Sequence, residues 1–317
     1  MRATACLTLP EATPDSARPT PMRTPFYAAC PVCEATESRE VITYRELSFG
    51  RCTGCGLIYK REQVLGLGDG YEEKYFKHNR AKYLGRWDHR VRKCERQVLA
   101  CLEYAPHAKD LLDVGCSAGY VLEAAQRLGL SATGLDYSRF TVDLCRERGY
   151  RAEYGSLTQL PFPDASFDII TLKHTLEHVD QPMSGLRELQ RVLRPGGVAF
   201  VIVPDAAYYK IIVMPRRGRS FRPDRRGWQH HVYFYEKNLA DACARAGMVP
   251  VKAGKDILRR RLAKGLRAPY EYVRFALQWA WVQVCRVTHL RREIQVIAQR
   301  PAAPALPAAR TPAQPAA

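Results

Sequence analysis

The chain has 317 residues, with 49 Lys and Arg against 32 Asp and Glu, a formal net charge of +17 at pH 7 and 46% hydrophobic residues. That length holds one α/β domain of ordinary size plus a small module, and the apolar share is ample for a core, which excludes a wholly disordered chain. Eleven cysteines with no secretory segment in view argue against a disulfide framework and for a cytoplasmic protein, while the basic balance keeps acidic, phosphate-bearing and nucleic-acid partners open.

Residues 1–26 are rich in Pro, Thr and Ala, carry no periodicity and are expected to be disordered. Met22 is a candidate for the natural start, which N-terminal sequencing would settle. In residues 27–62, Cys30-Pro-Val-Cys33 and Cys52-Thr-Gly-Cys55 are two C-x-x-C pairs with eighteen residues between them. At that spacing two knuckles on a short β-ribbon can close a tetrahedral thiolate site. Zinc is the expected metal, and with no coordination position left open it is structural; redox cysteines are the alternative. Residues 63–106 read as a helical linker, in which Trp87, Val91, Cys94, Val98, Cys101 and Leu102 follow helical spacing.

Residues 111–120, LLDVGCSAGY, read as a buried strand ending in a glycine-bracketed turn that opens a helix. A second strand, 131–135, leads to Asp136, about 20 residues past the turn, where a nucleoside-binding α/β unit places the carboxylate that accepts ribose hydroxyls. The dinucleotide fingerprint is excluded, because its second and third glycines would fall on Ser117 and Tyr120. Further on, Pro161 and Pro163 bracket a turn, 167–172 is a buried strand, and 194–197 is a tight connection into a strand over 198–203. Lys173, His174, Glu177 and His178 follow the fourth strand at its carboxyl end, where open α/β sheets place ligands. A histidine there suits general-base work because its pKa lies near working pH. His174 is the first choice and His178 the second; a purely structural strand-to-helix junction is the alternative.

The segment 205–230 is an insertion with an arginine-dense stretch over 216–226, suited to a phosphate or carboxylate on a ligand or, more plainly, a solvated loop. After a strand over 248–253 comes a second insertion, 256–290, in which a basic helix precedes a Trp-rich apolar face. It is too interrupted to span a bilayer. Peripheral contact with an anionic membrane competes with packing on the protein body or a second subunit. Residues 293–298 read as the returning edge strand, and 301–317 is a disordered Pro/Ala tail.

Taken together, LLDVGCSAGY, Asp136, the run from Leu160 to Ile170, Leu176-Glu177-His178-Val179 and Leu193-Arg194-Pro195-Gly196-Gly197 resemble, in order and spacing, the motifs of class I S-adenosylmethionine-dependent methyltransferases. The resemblance covers roughly residues 107–255, about half the chain. It implies an α/β, Rossmann-like sheet, mostly parallel with the last strand antiparallel, helices on both faces, and a domain over 107–300 behind a small zinc ribbon. It implies S-adenosylmethionine as cofactor, with Asp113, Gly115, Cys116, Ser117 and Gly119 around its methionine end, Asp136 at the ribose, Tyr137, Ser156 and Leu157 near the adenine, and Lys173 beside them. Ser117 stands where the family often has glycine, and Ser156 where it often has an acid.

On the acceptor side the resemblance implies His174, His178 and His231, the last in a His-aromatic segment that faces the acceptor in such enzymes. In the family the segment before the first strand often forms a lid, which makes Tyr71, Tyr75 and Tyr83 candidates for pocket lining. The implied reaction is O- or C-methylation of a small-molecule acceptor, a sugar or a surface-glycan or lipid-linked intermediate. The alternatives are a zinc-ribbon ribosomal RNA methyltransferase, whose metal site usually includes a histidine, and a cofactor-binding scaffold without turnover.

Overall fold

The computed structural model describes residues 23–44, 47–64, 85–208, 230–255 and 293–302. The pocket-lining candidates Tyr71, Tyr75 and Tyr83, the arginine-dense stretch 216–226 and the insertion 256–290 lie outside the described residues. Among the described residues no helix is long and apolar enough to cross a membrane.

The N-terminal module is a ribbon of short antiparallel strands: β1 (Arg23–Pro25), β2 (Ser38–Tyr44), β3 (Leu47–Cys52), β4 (Ile58–Lys60) and β5 (Glu62–Val64). Here the structure extends the expected boundary, because β1 lies within the segment expected to be disordered. It is tied down by antiparallel pairing of Arg23 with Val64 and Pro25 with Glu62, and backbone pairing needs no apolar periodicity.

Helix α1 (Trp87–Leu102) buries Val91, Cys94, Val98 and Cys101 on one face, the stripe expected from their spacing. The α/β domain then follows: β6 (Asp110–Val114), α2 (Tyr120–Arg127), β7 (Ser131–Asp136), α3 (Arg139–Glu147), β8 (Arg151–Tyr154), β9 (Phe167–Lys173), a 3-10 turn (Leu176–His178), α4 (Pro182–Val192), β10 (Leu193–Pro204), β11 (Val232–Tyr233), α5 (Glu236–Arg245), β12 (Val249–Lys255) and β13 (Glu293–Gln299). The seven-stranded sheet has the order β12-β13-β10-β9-β6-β7-β8. Strands β6 to β10 run parallel, and β13 lies antiparallel between β10 and β12. The antiparallel return is as expected, but β13 is not an edge strand; its residues Ile294, Val296, Ile297 and Ala298 are buried, and β12 forms the edge.

Two apolar layers sandwich the sheet. One packs α1, α2 and α3 through Val98, Leu122 and Val142 onto Leu111, Ile169 and Phe200. The other packs α4 and α5 through Leu186, Leu189 and Leu239 onto Leu112, Ile170 and Val201, and it takes in Cys30, Val32, Leu57 and Tyr59 of the ribbon. The ribbon therefore shares a core with the second face. Strand β11 completes the junction by pairing with β4, Val232 opposite Tyr59 and Tyr233 opposite Ile58, so the His-aromatic segment belongs to the ribbon's sheet.

Candidate active site

The glycine turn after β6 is shaped by its own sheet. The amides of Gly115 and Cys116 donate to Leu135 O at 2.7 and 3.1 Å, bending the chain over the end of β7. Gly115 and Gly119 have φ of 77° and 88°, and Ser117 takes a left-handed φ of 51°, a conformation that costs a non-glycine residue free energy. A Cβ on Gly115 would collide with Thr175 Oγ1, and one on Gly119 would lie 2.9 Å from the Tyr150 ring. Both glycines are there for space as well as for φ.

Asp136 closes this turn. Its carboxylate accepts the Ser117 amide at Oδ2 and the Ser138 amide at Oδ1, each at 2.9 Å. Burial pushes its pKa up, and the amides of Ser138 and Ser117 pull against that shift. A carboxylate offers about four lone-pair positions, so each oxygen can still accept a ligand hydroxyl. Next to it Tyr137 is 74% exposed and leans on Tyr154, ring centroids 5.8 Å apart, leaving an aromatic surface beside the ribose position. Asp113 sits behind the turn, accepts Thr171 Oγ1 at 2.6 Å and is raised by burial to about 7, against the pull of the Thr171 hydroxyl and Lys173. The glycine cradle, the carboxylate and the open aromatic face fit an S-adenosyl group.

Not every candidate for cofactor contact turns its side chain that way. Cys116 points back against Gly134 and lies 3.9 Å from Cys145 Sγ, so only its backbone lines the turn. Leu157 is buried against Gly185 of α4. Ser156 spends its hydroxyl locally, 2.9 Å from Thr158 Oγ1.

Past β9 the chain gathers histidines around one buried carboxylate. Glu177 is 1% exposed, and among the described residues neither of its oxygens has a hydrogen-bond donor. His174 Nδ1 lies 3.5 Å and His178 Nε2 3.9 Å from Glu177 Oε1, and the His230 ring packs edge-on against His178 at 4.6 Å. Burial raises the Glu177 pKa, but these imidazoles outweigh it and hold the carboxylate low. The ligand atoms of Glu177, His178 and His230 lie within 4.8 Å of one another, so the group also offers a His/carboxylate donor set. Thr175 joins this group to the glycine turn through Val114 O at 3.4 Å.

His174, the first choice of base, is gripped from two sides, its Nε2 also 3.1 Å from Glu293 Oε1. Burial alone would lower its pKa, but Glu177 and Glu293 win and raise it to about 9. The raised value favours the imidazolium at His174, which weighs against the base role expected of it. His231 faces the other way: its Nδ1 lies 2.7 Å from Asp180 Oδ1 and its ring packs on Phe26, on the ribbon side. Successive residues of an extended segment point to opposite faces, which is why His230, not singled out from the sequence, is the one that reaches His178.

The four ribbon cysteines converge. Cys30 and Cys55 sulfurs are 3.6 Å apart, Cys33 and Cys52 sulfurs 3.4 Å, and all four lie within 4.8 Å of one another without a disulfide. Tetrahedral zinc–thiolate bonds of about 2.3 Å place sulfurs roughly 3.8 Å apart, so the cluster fits such an ion. Burial works against thiolates here, yet the Cys55 amide, the Cys33 thiol and the Gly54 amide bring Cys52 down to about 7.

The sheet order, the glycine turn and the carboxylate at the end of β7 define a Rossmann-like α/β domain. Residues 112–201 match the family model described as a methyltransferase domain. The chain is 35% identical over 117 residues to a probable S-adenosylmethionine-dependent methyltransferase of Mycolicibacterium smegmatis, covering 36% of this chain and 44% of that protein. It is 31% identical over 132 residues to a ubiquinone biosynthesis O-methyltransferase of Pseudomonas paraeruginosa, covering 36% and 57%. The chain thus spans about half the length of the curated relatives it matches. A solved S-adenosylmethionine-dependent methyltransferase from Archaeoglobus fulgidus superposes with a TM-score of 0.51 at 16% identity, covering 71% of this chain and 99% of that one, which shows the shared fold.

Proposed function

We propose that the protein is an S-adenosylmethionine-dependent methyltransferase acting on a small-molecule acceptor. The observation that carries this is the pairing of the Asp136-closed glycine turn with the Glu177 histidine group across Thr175. The bound cofactor supplies an activated sulfonium methyl. Asp136 and the turn fix the donor, and Tyr137 offers its exposed ring to the adenine. His178, beside Glu177, would take the proton of an acceptor hydroxyl and His174 would hold positive charge beside Glu177, while the cofactor, when bound, would give up its methyl by breaking the sulfonium S–C bond and leave as the neutral thioether. A sugar or a glycan or lipid-linked intermediate is the acceptor class we favour, because the arginine-dense insertion and the basic, Trp-rich insertion suit a phosphate-bearing amphiphile. O-methyl transfer is supported by the relative in ubiquinone biosynthesis.

Calorimetry with S-adenosylmethionine tests the donor half. Wild type is expected to bind and Asp136→Ala to lose binding; a wild-type protein that does not bind would sink the proposal. Incubation with a tagged-methyl donor and host extract, read by mass spectrometry, tests the acceptor half. Binding without any labelled product would leave a cofactor-binding scaffold.

A further inference from the structure

The ribbon and the acceptor side share more than a covalent link. Tyr27, three residues before the first knuckle, donates its hydroxyl to Asp180 O at 2.7 Å, just past the Leu176–His178 turn. The same Asp180 holds His231 through its carboxylate at 2.7 Å. The Lys60 amide of β4 donates to His231 O at 2.9 Å, and the His231 amide donates to Glu177 O at 2.7 Å. Phe26 packs on the His231 ring at 4.6 Å. Two ribbon segments, one before the first knuckle and one after the second, therefore grip both chains that carry Glu177, His178 and His230.

The cofactor turn is built differently. The hydrogen bonds that shape it come from Leu135, Asp136 and Cys145 of β7 and α3, none of them a ribbon residue. We propose that the four-cysteine ribbon is a splint for the acceptor wall, with Tyr27 and Lys60 as positioning residues. Closure of the thiolate site then fixes where the histidines stand and leaves the donor site alone. This rests on the assignment of the histidine group to the acceptor side. It gives the metal a role beyond stabilising its own module: the knuckles fix the separation of Tyr27 and β4, and β4 carries β11.

The test uses the full-length, zinc-loaded protein with 13C-labelled histidine rings, resonances assigned by single His→Asn variants, and needs no acceptor. Tyr27→Phe, which leaves the cysteines intact, is expected to shift the ring signals of His231, His230 and His178. His89, on α1 at the other face of the sheet, and His107, just before β6, should stay in place, and S-adenosylmethionine affinity should be unchanged. Stripping zinc with a chelator should move the same three signals further, reversibly on adding zinc back. If the chelated protein unfolds, Tyr27→Phe alone decides. Unmoved histidine signals in Tyr27→Phe, or a loss of cofactor affinity in step with the shifts, would overturn the splint. A wild-type protein that fails to bind the cofactor would instead overturn the methyltransferase assignment, with the histidine shifts still read independently.

Discussion

Gly115 and Thr175 meet where the donor turn touches the acceptor wall, and their contact leaves no room for a methyl group. Gly115→Ala should therefore do two kinds of damage: about 1–2 kcal/mol of left-handed backbone strain and displacement of the Thr175 hydroxyl. Calorimetry is expected to show a large loss of S-adenosylmethionine affinity, with Gly115→Ala/Thr175→Ala recovering the steric part only. Full recovery would mean that φ does not matter at this position. His174 gives a pH signature. Its burial disfavours the imidazolium, Glu177 and Glu293 more than compensate, and the folded value of about 9 lies above the ordinary 6.5. The stabilisation from this pair of contacts is complete below about pH 6.5 and fades as pH rises through about 9. Thermal denaturation of wild type should weaken across that window more steeply than that of His174→Gln. Parallel curves would show that the histidine is not charged in the folded protein.

Among the elements, α4 packs on the second face of the sheet with Leu186, Leu189 and Val192 all fully buried. Leu189→Ala should cost about 2–5 kcal/mol, read as a lower denaturant midpoint with little change in slope; a cost near zero would mean that this face repacks freely. Elements of this kind were legible because their signals are local: the 3.6-residue stripe of α1, the apolar run of β6 before its glycines, and the prolines around 161–163. The place of Asp136 at the end of β7 and the convergence of the cysteine knuckles were legible for the same reason, since both follow from spacing. What escaped is long-range. Nothing near Val232 says that it pairs with Tyr59, so the sequence singles out His231, and not His230, in the segment expected to face the acceptor. Nothing near Glu293 says that β12 will pair along it, so by sequence alone 293–298 reads as an edge strand. Thr175 and Glu293 gave no signal of their own, because their roles come from what the fold sets opposite them.

For the whole molecule, a small acceptor and nucleic acid are the competing partners, and the +17 net charge is compatible with either. Among the described residues many cations are already committed: Arg194 bridges Asp110 and Asp168, Arg191 bridges Glu188 and Asp164, and Arg127 meets Glu95, Glu123 and Asp88. These pairs brace the fold, and because the net charge already subtracts every acidic residue they leave the basic excess itself undiminished. The donor site is set by a buried carboxylate and backbone amides, whose bonds salt screens weakly. Cofactor affinity should therefore hold as salt rises, whereas any RNA affinity should fall steeply, by about 10³–10⁵ between roughly 50 and 200 mM salt if six to ten phosphates are contacted. Fluorescence titration with labelled ribosomal RNA fragments, alongside cofactor calorimetry at the same salt concentrations, makes the comparison. For a small-molecule enzyme, RNA binding at physiological salt should be weak and indifferent to sequence. Tight, sequence-selective binding that survives there, together with methylated nucleotides in the bound RNA, would hand the site to the nucleic-acid alternative.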